Sequence, residues 1–253
     1  MTRPPGKIAL VDYGAGNLRS VENALRKVGA DVVVTHDADV VRGAAQVVVP
    51  GQGSMPACAE AMRRSGVADA LVEAIREGKP VLGICVGLQI LFEDGDEGGG
   101  AKGLGILPGR IRKLPEGQKL PNIGWSPLRT TATAPPLFAG MDGAYAYFAH
   151  SYAAPADAPG VALTTTHGIA YCAALARGNL YAVQFHPEKS QKVGLAFLER
   201  FVRLTASEGP GGVARPGAGG GGGGLRPPAG RGGAEELRRS GGGAGPPGRK
   251  DRP

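Results

Sequence analysis

A cysteine with a glycine two residues to either side, at the end of a short apolar run, constrains the fold of this chain more than any other feature. Residues 80–84 begin with proline and are apolar, which favours a buried parallel strand, and residues 86–92 carry apolar side chains at helical spacing. Gly83 and Gly87 let the backbone turn sharply at Cys85, as in the G-x-S-x-G turn of serine hydrolases. Cys85 is therefore a candidate nucleophile, because a helix N-terminus favours a thiolate. The alternative is a small cysteine packed in the core.

The candidate general base is a histidine about a hundred residues downstream. Residues 181–185 form a predicted strand, and Pro187 restricts His186 to an extended conformation. Side chains two apart on an extended chain face the same side, so Glu188 is expected to orient the His186 ring. The alternative is a histidine with structurally satisfied hydrogen bonds at a strand end. His150 is a rival base, but no acid stands at matching spacing.

Alternating strand and helix patterns in the first half predict a parallel sheet with helices on both faces. The predicted strands are 7–13, 31–35, 45–49 and 80–84, with a helix capped by Asn17 after the first and a long helix over 55–77 before the last. Ligands bind at the C-terminal ends of such strands, where residues 50–51 and Cys85 fall. The second half predicts strands at 109–114, 144–152 and 161–166, a hairpin around 177–179, a surface loop over 94–105 and a last helix capped by Ser190.

The motifs around the cysteine and the histidine, residues 83–89 and 184–190, resemble those of the class I (triad) glutamine amidotransferases. Within that family the resemblance is closest to the glutaminase subunits of imidazole glycerol phosphate synthase. Four further segments carry it: VDYGAGN at 11–17, PGQG at 50–53, PNIGW at 121–125 and YFAHSY at 147–152. It extends over residues 7–204, with Gln52 where the family more often has valine.

The resemblance implies an α/β fold for residues 1–205: an open, mixed, mostly parallel sheet, flavodoxin-like, with helices on both faces. It implies that Cys85, His186 and Glu188 hydrolyse glutamine to glutamate and ammonia without a cofactor or a metal. The implied partner is a (β/α)8-barrel cyclase subunit, forming a heterodimer, which uses the ammonia to make imidazole glycerol phosphate and AICAR in histidine biosynthesis.

The other predicted site residues form three groups. The predicted oxyanion donors are the N–H of Val86, which follows the nucleophile, and the loop of Gly51, Gln52 and Gly53. By resemblance, the glutamine pocket contains Gln89, His150, Ser151 and Tyr152. The predicted partner interface contains Asn17, Asn122, Ile123, Gly124 and Trp125, with Trp125 in a loop, although core packing is an equal alternative for this residue.

Composition separates a C-terminal tail from the rest of the chain. Residues 206–253 hold 18 of the 44 glycines and 7 of the 21 prolines, so the tail is predicted to be disordered. It carries eight Lys and Arg against four Asp and Glu, which accounts for four of the seven net positive charges. The basic balance is therefore weak evidence for nucleic-acid binding, and none is expected.

The cysteines predict a reducing compartment. Cys58, Cys85 and Cys172 are odd in number and scattered, which argues against a disulfide framework. Cys58 and Cys172 are interpreted as packing residues. Because neither a signal peptide nor an apolar run of about 20 residues is present, the chain is predicted to be cytoplasmic and not membrane-bound.

Three other functions remain open on the sequence. The chain is compatible with a glutaminase subunit of another amidotransferase, with a non-catalytic glutamine-sensing or scaffold subunit, and with a free-standing cysteine hydrolase. The chain contains no acceptor domain for ammonia, so we predict a low basal glutaminase activity that the cyclase and its ligand raise strongly.

Overall fold

The computed structural model describes residues 6–14 and 17–205, so the tail predicted over 206–253 lies outside the described residues. The strands are β1 (Ile8–Val11), β2 (Val32–Thr35), β3 (Gln46–Val49), β4 (Val81–Ile84), β5 (Phe92–Gly95), β6 (Ala101–Lys102), β7 (Leu107–Lys113), β8 (Asn122–Pro127), β9 (Arg129–Thr130), β10 (Tyr145–His150), β11 (Tyr152–Ala153), β12 (Val161–His167), β13 (Ile169–Arg177) and β14 (Leu180–Val183). The α-helices are α1 (Leu18–Lys27), α2 (Ala38–Gly43), α3 (Met55–Arg64), α4 (Val67–Arg76), α5 (Val86–Gln89) and α6 (Gln191–Val202), and short 3₁₀ turns span Glu97–Gly99, Pro136–Phe138 and Pro187–Lys189.

Eight strands form the central sheet, in the order β2-β1-β3-β4-β14-β13-β12-β9. The first five are parallel to one another, and the remaining pairs are antiparallel. Strands β1, β3, β4 and β14 are buried along their whole length, as expected of parallel strands that are covered on both faces. The predicted open, mixed and mostly parallel α/β sheet is confirmed.

The strand order decides where the helices lie. The chain leaves β1 toward β2 in one direction and returns through β3 to β4 in the other. Because such crossovers are right-handed, α1 covers one face of the sheet and α2, α3 and α4 cover the other. Helix α6 packs beside α1, and α2 packs beside α4. The C-terminal ends of the parallel strands therefore share one edge, where the segments after β3, β4 and β14 meet.

Two predicted helices are shorter than the sequence suggests. The helix predicted over 55–77 is two helices, α3 and α4, because Gly66 between them has φ 71°, which ends helical hydrogen bonding. The helix predicted over 86–92 is a single turn, since α5 ends at Gln89 and β5 begins at Phe92. The apolar side chains at helical spacing in residues 86–92 instead lead into β5, whose Phe92 packs in the core.

The prediction of a surface loop over 94–105 is wrong, because this segment contains the end of β5 and all of β6. Both strands belong to a four-stranded sheet in the order β11-β7-β5-β6. Arg110 on β7 pairs with Asp94 at 2.9 Å and with Asp96 at 2.6 Å. The polar residues that make the segment resemble a loop therefore form ion pairs between neighbouring chain segments.

A two-stranded ribbon forms from β8 and β10, which pair antiparallel. The sequence predicts the β8 segment as a loop. Side chains alternate across this β8–β10 ribbon: Asn122 and His150 stand opposite each other and are buried, whereas Ile123 and Trp125 are 63% and 44% exposed. Within the described part of the chain, no helix is long and apolar enough to cross a membrane.

Candidate active site

Cys85 lies on the predicted turn between β4 and α5. Its backbone has φ 55° and ψ −111°, a conformation that a non-glycine residue adopts only where its surroundings enforce it. Close backbone packing enforces the turn here. A Cβ on Gly87 would lie 2.1 Å from the Val49 carbonyl oxygen, and one on Gly83 would lie 2.6 Å from the Gly87 carbonyl oxygen.

The His186 imidazole lies between Cys85 and Glu188. Its Nδ1 is 2.8 Å from Oε1 of Glu188, and the Cys85 thiol lies close enough to the ring to raise its pKa. His186 is extended, as predicted, but Pro187–Lys189 form a 3₁₀ turn. Glu188 therefore approaches the ring from a turn and not through the alternation of an extended strand.

Burial and charge have opposite effects on His186. Burial lowers its pKa, but the hydrogen bonds and charges of Cys85 and Glu188 outweigh burial and raise the pKa of His186 to about 10. The ring therefore carries a proton at neutral pH, beside a sulfur that it can stabilise as a thiolate.

His150 shows the opposite behaviour. Burial lowers the pKa of His150 to about 4. Its Nδ1 lies 2.9 Å from the Tyr152 carbonyl oxygen and its Nε2 lies 3.2 Å from the Tyr171 hydroxyl. Because both ring nitrogens are occupied by these neutral groups, His150 is not placed to accept the Cys85 proton.

A cavity of about 230 Å³ opens at Cys85. All the predicted oxyanion and glutamine-pocket residues line it: Gly51, Gln52, Gly53, Val86, Gln89, His150, Ser151 and Tyr152. Glu97 and Lys189 add one carboxylate and one ammonium group to its lining. Within residues 6–14 and 17–205, no group of three or more His, Cys, Asp or Glu side chains is placed to hold a metal ion.

Two side chains predicted as helix caps make no capping bond and instead support the histidine and the glutamate. Asn17, also predicted at the partner interface, donates an Nδ2–H to Oε1 of Glu188 at 2.6 Å. The Ser190 hydroxyl donates to the His186 carbonyl at 2.6 Å and accepts the Tyr147 N–H at 3.0 Å. The ribbon is thereby linked to the histidine.

The predicted interface residues of β8 lie on opposite faces of the β8–β10 ribbon. Ile123 and Trp125 point outward, and Gly124 lies between them with φ 141°. Asn122 points inward and donates an Nδ2–H to the Tyr171 hydroxyl at 3.0 Å. Its side chain is therefore committed inside the protein, because a buried amide requires a partner there, and its place at the interface stays a prediction.

Sequence reasoning missed two contacts that involve the core. Cys58, interpreted as a packing residue, donates its thiol to the Gln52 carbonyl at 3.6 Å and so anchors the loop after β3. The Tyr13 hydroxyl donates to the Pro50 carbonyl of the same loop. Cys172 is fully buried in β13, as a packing residue would be.

A third missed residue lies beside the nucleophile. Nε2 of Gln184 is 3.7 Å from Sγ of Cys85, and its Oε1 accepts an N–H from Gln89 at 3.1 Å. A fully buried glutamine directly after an apolar strand is itself a signal, because a buried amide must find hydrogen-bond partners.

Residues 9–204 match the family model described as glutamine amidotransferase class-I. The chain belongs to the class-I glutamine amidotransferase family, as its motifs predict.

Within this family, the chain is similar to curated proteins named imidazole glycerol phosphate synthase subunit HisH. It is 45% identical over 204 residues to the protein of Geobacter sulfurreducens, a match that covers 77% of this chain and 97% of that protein. It is 46% identical over 211 residues to the protein of Nitrosomonas europaea, covering 78% and 98%. The protein of Symbiobacterium thermophilum is 46% identical over 200 residues, covering 78% and 94%. The narrower resemblance drawn from the motifs is confirmed.

Solved structures share the fold at low identity. A crystal structure of a glutamine amidotransferase matches with a TM-score of 0.61 at 20% identity, covering 76% of this chain and 98% of that one. The structure of PurLQS from Thermotoga maritima matches with a TM-score of 0.59 at 21% identity, covering 77% of this chain and 94% of the matched one. At these identities the likeness shows the fold alone.

Proposed function

We propose that this chain is the glutamine-hydrolysing subunit of a cytoplasmic imidazole glycerol phosphate synthase in histidine biosynthesis. The observation that carries the proposal is that Cys85 and His186 line one cavity and Glu188 is hydrogen-bonded to His186, in a chain about 45% identical to subunits of that synthase. Residues 1–205 form the amidotransferase domain in this proposal, and residues 206–253 are an appended tail.

The reaction begins with the Cys85 thiolate, which attacks the side-chain carbonyl carbon of glutamine and forms a tetrahedral adduct. The His186 imidazolium donates its proton to the amide nitrogen as the C–N bond breaks, so ammonia leaves and a γ-glutamyl thioester remains. The neutral His186 ring then accepts a proton from water, which attacks the thioester carbon. The C–S bond breaks, glutamate leaves, and the thiolate and imidazolium are restored.

The tetrahedral adducts carry an oxyanion, which backbone N–H groups can stabilise. Val86 is the first residue of α5, so its N–H has no acceptor within the helix. The loop of Gly51, Gln52 and Gly53 supplies the second donor in this proposal. The Cys58 thiol holds that loop in place through its hydrogen bond to the Gln52 carbonyl.

The cyclase subunit is a (β/α)8 barrel in this proposal; it binds the outer face of the β8–β10 ribbon and forms a heterodimer with this chain. That face exposes Ile123, Trp125 and Tyr145, at 63%, 44% and 56%. Adjacent exposed aromatic and aliphatic side chains are typical of a protein interface. The ribbon is also linked to the histidine through Ser190, so the partner contacts an element that touches the site.

The test is glutamate release from glutamine by the purified chain, alone and with a cyclase subunit plus its nucleotide ligand. We expect low activity alone, a large rise with the partner, and no activity in Cys85→Ala. Cys172→Ala is the matched control, since Cys172 is also a buried cysteine but lies in β13, and it should retain the rise.

Each contrary result has a separate meaning. Activity that survives in Cys85→Ala would refute the proposed nucleophile. High turnover without a partner would indicate a free-standing hydrolase, and activity that no cyclase raises would indicate another acceptor for the ammonia. A folded chain without activity under any condition would indicate a non-catalytic glutamine-binding subunit.

A further inference from the structure

One backbone carbonyl fixes the orientation of the buried side chains behind the cavity. The Tyr152 carbonyl oxygen accepts an N–H from Nε2 of Gln89 at 2.8 Å and from Nδ1 of His150 at 2.9 Å. A carbonyl oxygen can only accept, so both side chains must present a donor to it. The amide of Gln89 is therefore fixed with its nitrogen toward Tyr152.

The same constraint passes from Gln89 to the next side chain. Nε2 of Gln89 also lies 3.1 Å from Oε1 of Gln184, so Gln184 must present its oxygen to that donor. This leaves Nε2 of Gln184 facing Sγ of Cys85, at 3.7 Å. The reverse orientation would set two donors against each other and turn a carbonyl oxygen toward the sulfur. Gln184 is 0% exposed and Gln89 is 2% exposed, so water does not replace these bonds.

We infer that Gln184 is a catalytic donor to the nucleophile: its amide N–H stabilises negative charge on the Cys85 sulfur, in an orientation that Gln89 enforces. The inference rests on the proposed function in so far as Cys85 is the nucleophile there. A neutral amide donor complements the His186 imidazolium, because it stabilises the thiolate and has no proton to lose during the reaction. It favours the ionised sulfur before attack, and it stabilises the same charge when the thioester is hydrolysed.

Gln89 then has a different role from the one predicted from the sequence, which places it in the glutamine pocket. Gln89 lines the cavity, but its amide nitrogen is committed to Tyr152 and Gln184 inside the protein. It acts as a positioning residue for Gln184. Loss of Gln89 should therefore weaken the reactivity of Cys85 even when no glutamine is bound.

The experiment measures alkylation of Cys85 by iodoacetamide, with the modified cysteine identified by mass spectrometry, over a series of pH values. Gln184→Met keeps the length of the side chain but removes the donor. We expect the rate–pH profile to move to higher pH by about one unit, so that alkylation is about tenfold slower at pH values below its midpoint, as for loss of a hydrogen bond to a charged group. Cys85→Ala confirms which cysteine reacts.

The other titratable groups near Cys85 remain unchanged in this variant. They are His150, His186, Glu97 and Lys189, which line the cavity with Cys85, and Tyr13 and Cys58, whose pKa the charge of Cys85 raises. A shift in the profile therefore reports the Gln184 amide.

Gln46→Met is the matched control for loss of a buried glutamine. Gln46 is 3% exposed, and its Nε2 donates to the carbonyls of Val202 and Leu204, away from the cavity. We expect its alkylation profile to match that of the wild-type chain, whatever its effect on the melting temperature.

Gln184→Glu and Gln89→Met keep the inference testable if Gln184→Met does not fold. Gln184→Glu retains the acceptor for Gln89 but sets a carboxylate oxygen against the sulfur, so it should slow alkylation more than Gln184→Met. A folded Gln184→Met or Gln184→Glu with the wild-type rate and profile would overturn the inference. Because alkylation needs neither glutamine nor a partner, this result would leave the glutaminase assay to decide the proposed function separately.

Discussion

The roles of the two oxygens of Glu188, the proposed orienting carboxylate, can be tested separately. One of these oxygens makes both of the hydrogen bonds that the side chain accepts. Oε1 of Glu188 accepts from Nδ1 of His186 at 2.8 Å and from Nδ2 of Asn17 at 2.6 Å. Oε2 is buried and has no hydrogen-bond partner in the described part of the chain. Glu188→Gln should therefore keep an acceptor at the Oε1 position, held there by two donors, while it loses the negative charge and places an NH2 group at the Oε2 position.

The two bonds set the expected magnitudes. A hydrogen bond to a charged group contributes about 1.5–3 kcal/mol and a neutral one about half of that, so Glu188→Gln should cost about 1.4 kcal/mol, or about tenfold in kcat. Glu188→Met removes the acceptor altogether and leaves the donors of His186 and Asn17 buried without a partner. We expect it to cost at least about 3 kcal/mol, or more than about a hundredfold in kcat.

The assay is glutamate release at saturating glutamine in the presence of the cyclase subunit, from pH 6 to 10. The Glu188 charge helps to raise the pKa of His186, so Glu188→Gln should lower that pKa. Activity should then decline at a lower pH on the alkaline side, where the ring loses the proton that the leaving nitrogen needs. Glu60→Gln removes an exposed carboxylate on α3 and should match the wild-type chain. Equal losses in Glu188→Gln and Glu188→Met would refute the reasoning, since they would show that the charge alone matters.

Two further predictions concern the turn and the ribbon. Gly87→Ala would set a Cβ 2.1 Å from a backbone oxygen and should lower the free energy of unfolding, measured by urea titration, by about 1–3 kcal/mol or more. Gly43→Ala is the control. It has open space around its Cβ and should change the free energy of unfolding by less than about 1 kcal/mol. Equal effects would show that the turn can relax. Ile123→Ser should weaken cyclase binding in a titration by about tenfold and leave the activity of the chain alone unchanged, while Ile169→Ser, which is 49% exposed on β13, should bind like the wild-type chain. A loss in both variants, or in neither, would place the interface elsewhere.

The position of the nucleophile could be predicted from sequence because local rules determine it. Gly83 and Gly87 are required by backbone atoms that approach within van der Waals distance, and such close approach is the common reason for glycine beside a turn. The contact of His186 with Glu188 could also be predicted, because His186 is extended as expected, although the residues after it are not. Pro187 begins a 3₁₀ turn, and Glu188 reaches the His186 ring from this turn.

The inner part of the site could not be predicted from local patterns. Strand β8 is bounded by prolines and contains a glycine, which favours a loop, so the sequence does not reveal the alternation that sends Asn122 inward and Ile123 outward. The hydrogen bonds of Gln184 and Asn17 span 95 and 171 residues of sequence. Only the strand order, which sets β14 beside β4, brings such groups into contact.

The two histidines of the cavity explain why one catalytic assignment is physically consistent and the other is not. Burial lowers the pKa of His150 to about 4, because its hydrogen bond to the Tyr152 carbonyl offsets the loss of hydration only in part. His186 is buried beside a thiol and a carboxylate, whose favourable interactions exceed the same loss and raise its pKa to about 10. When their surroundings shift the pKa values of two groups in one site so far apart, each group is restricted to one protonation state at neutral pH. His186 can therefore hold the proton that a leaving amide nitrogen requires, whereas His150 can only keep the wall of the cavity in place.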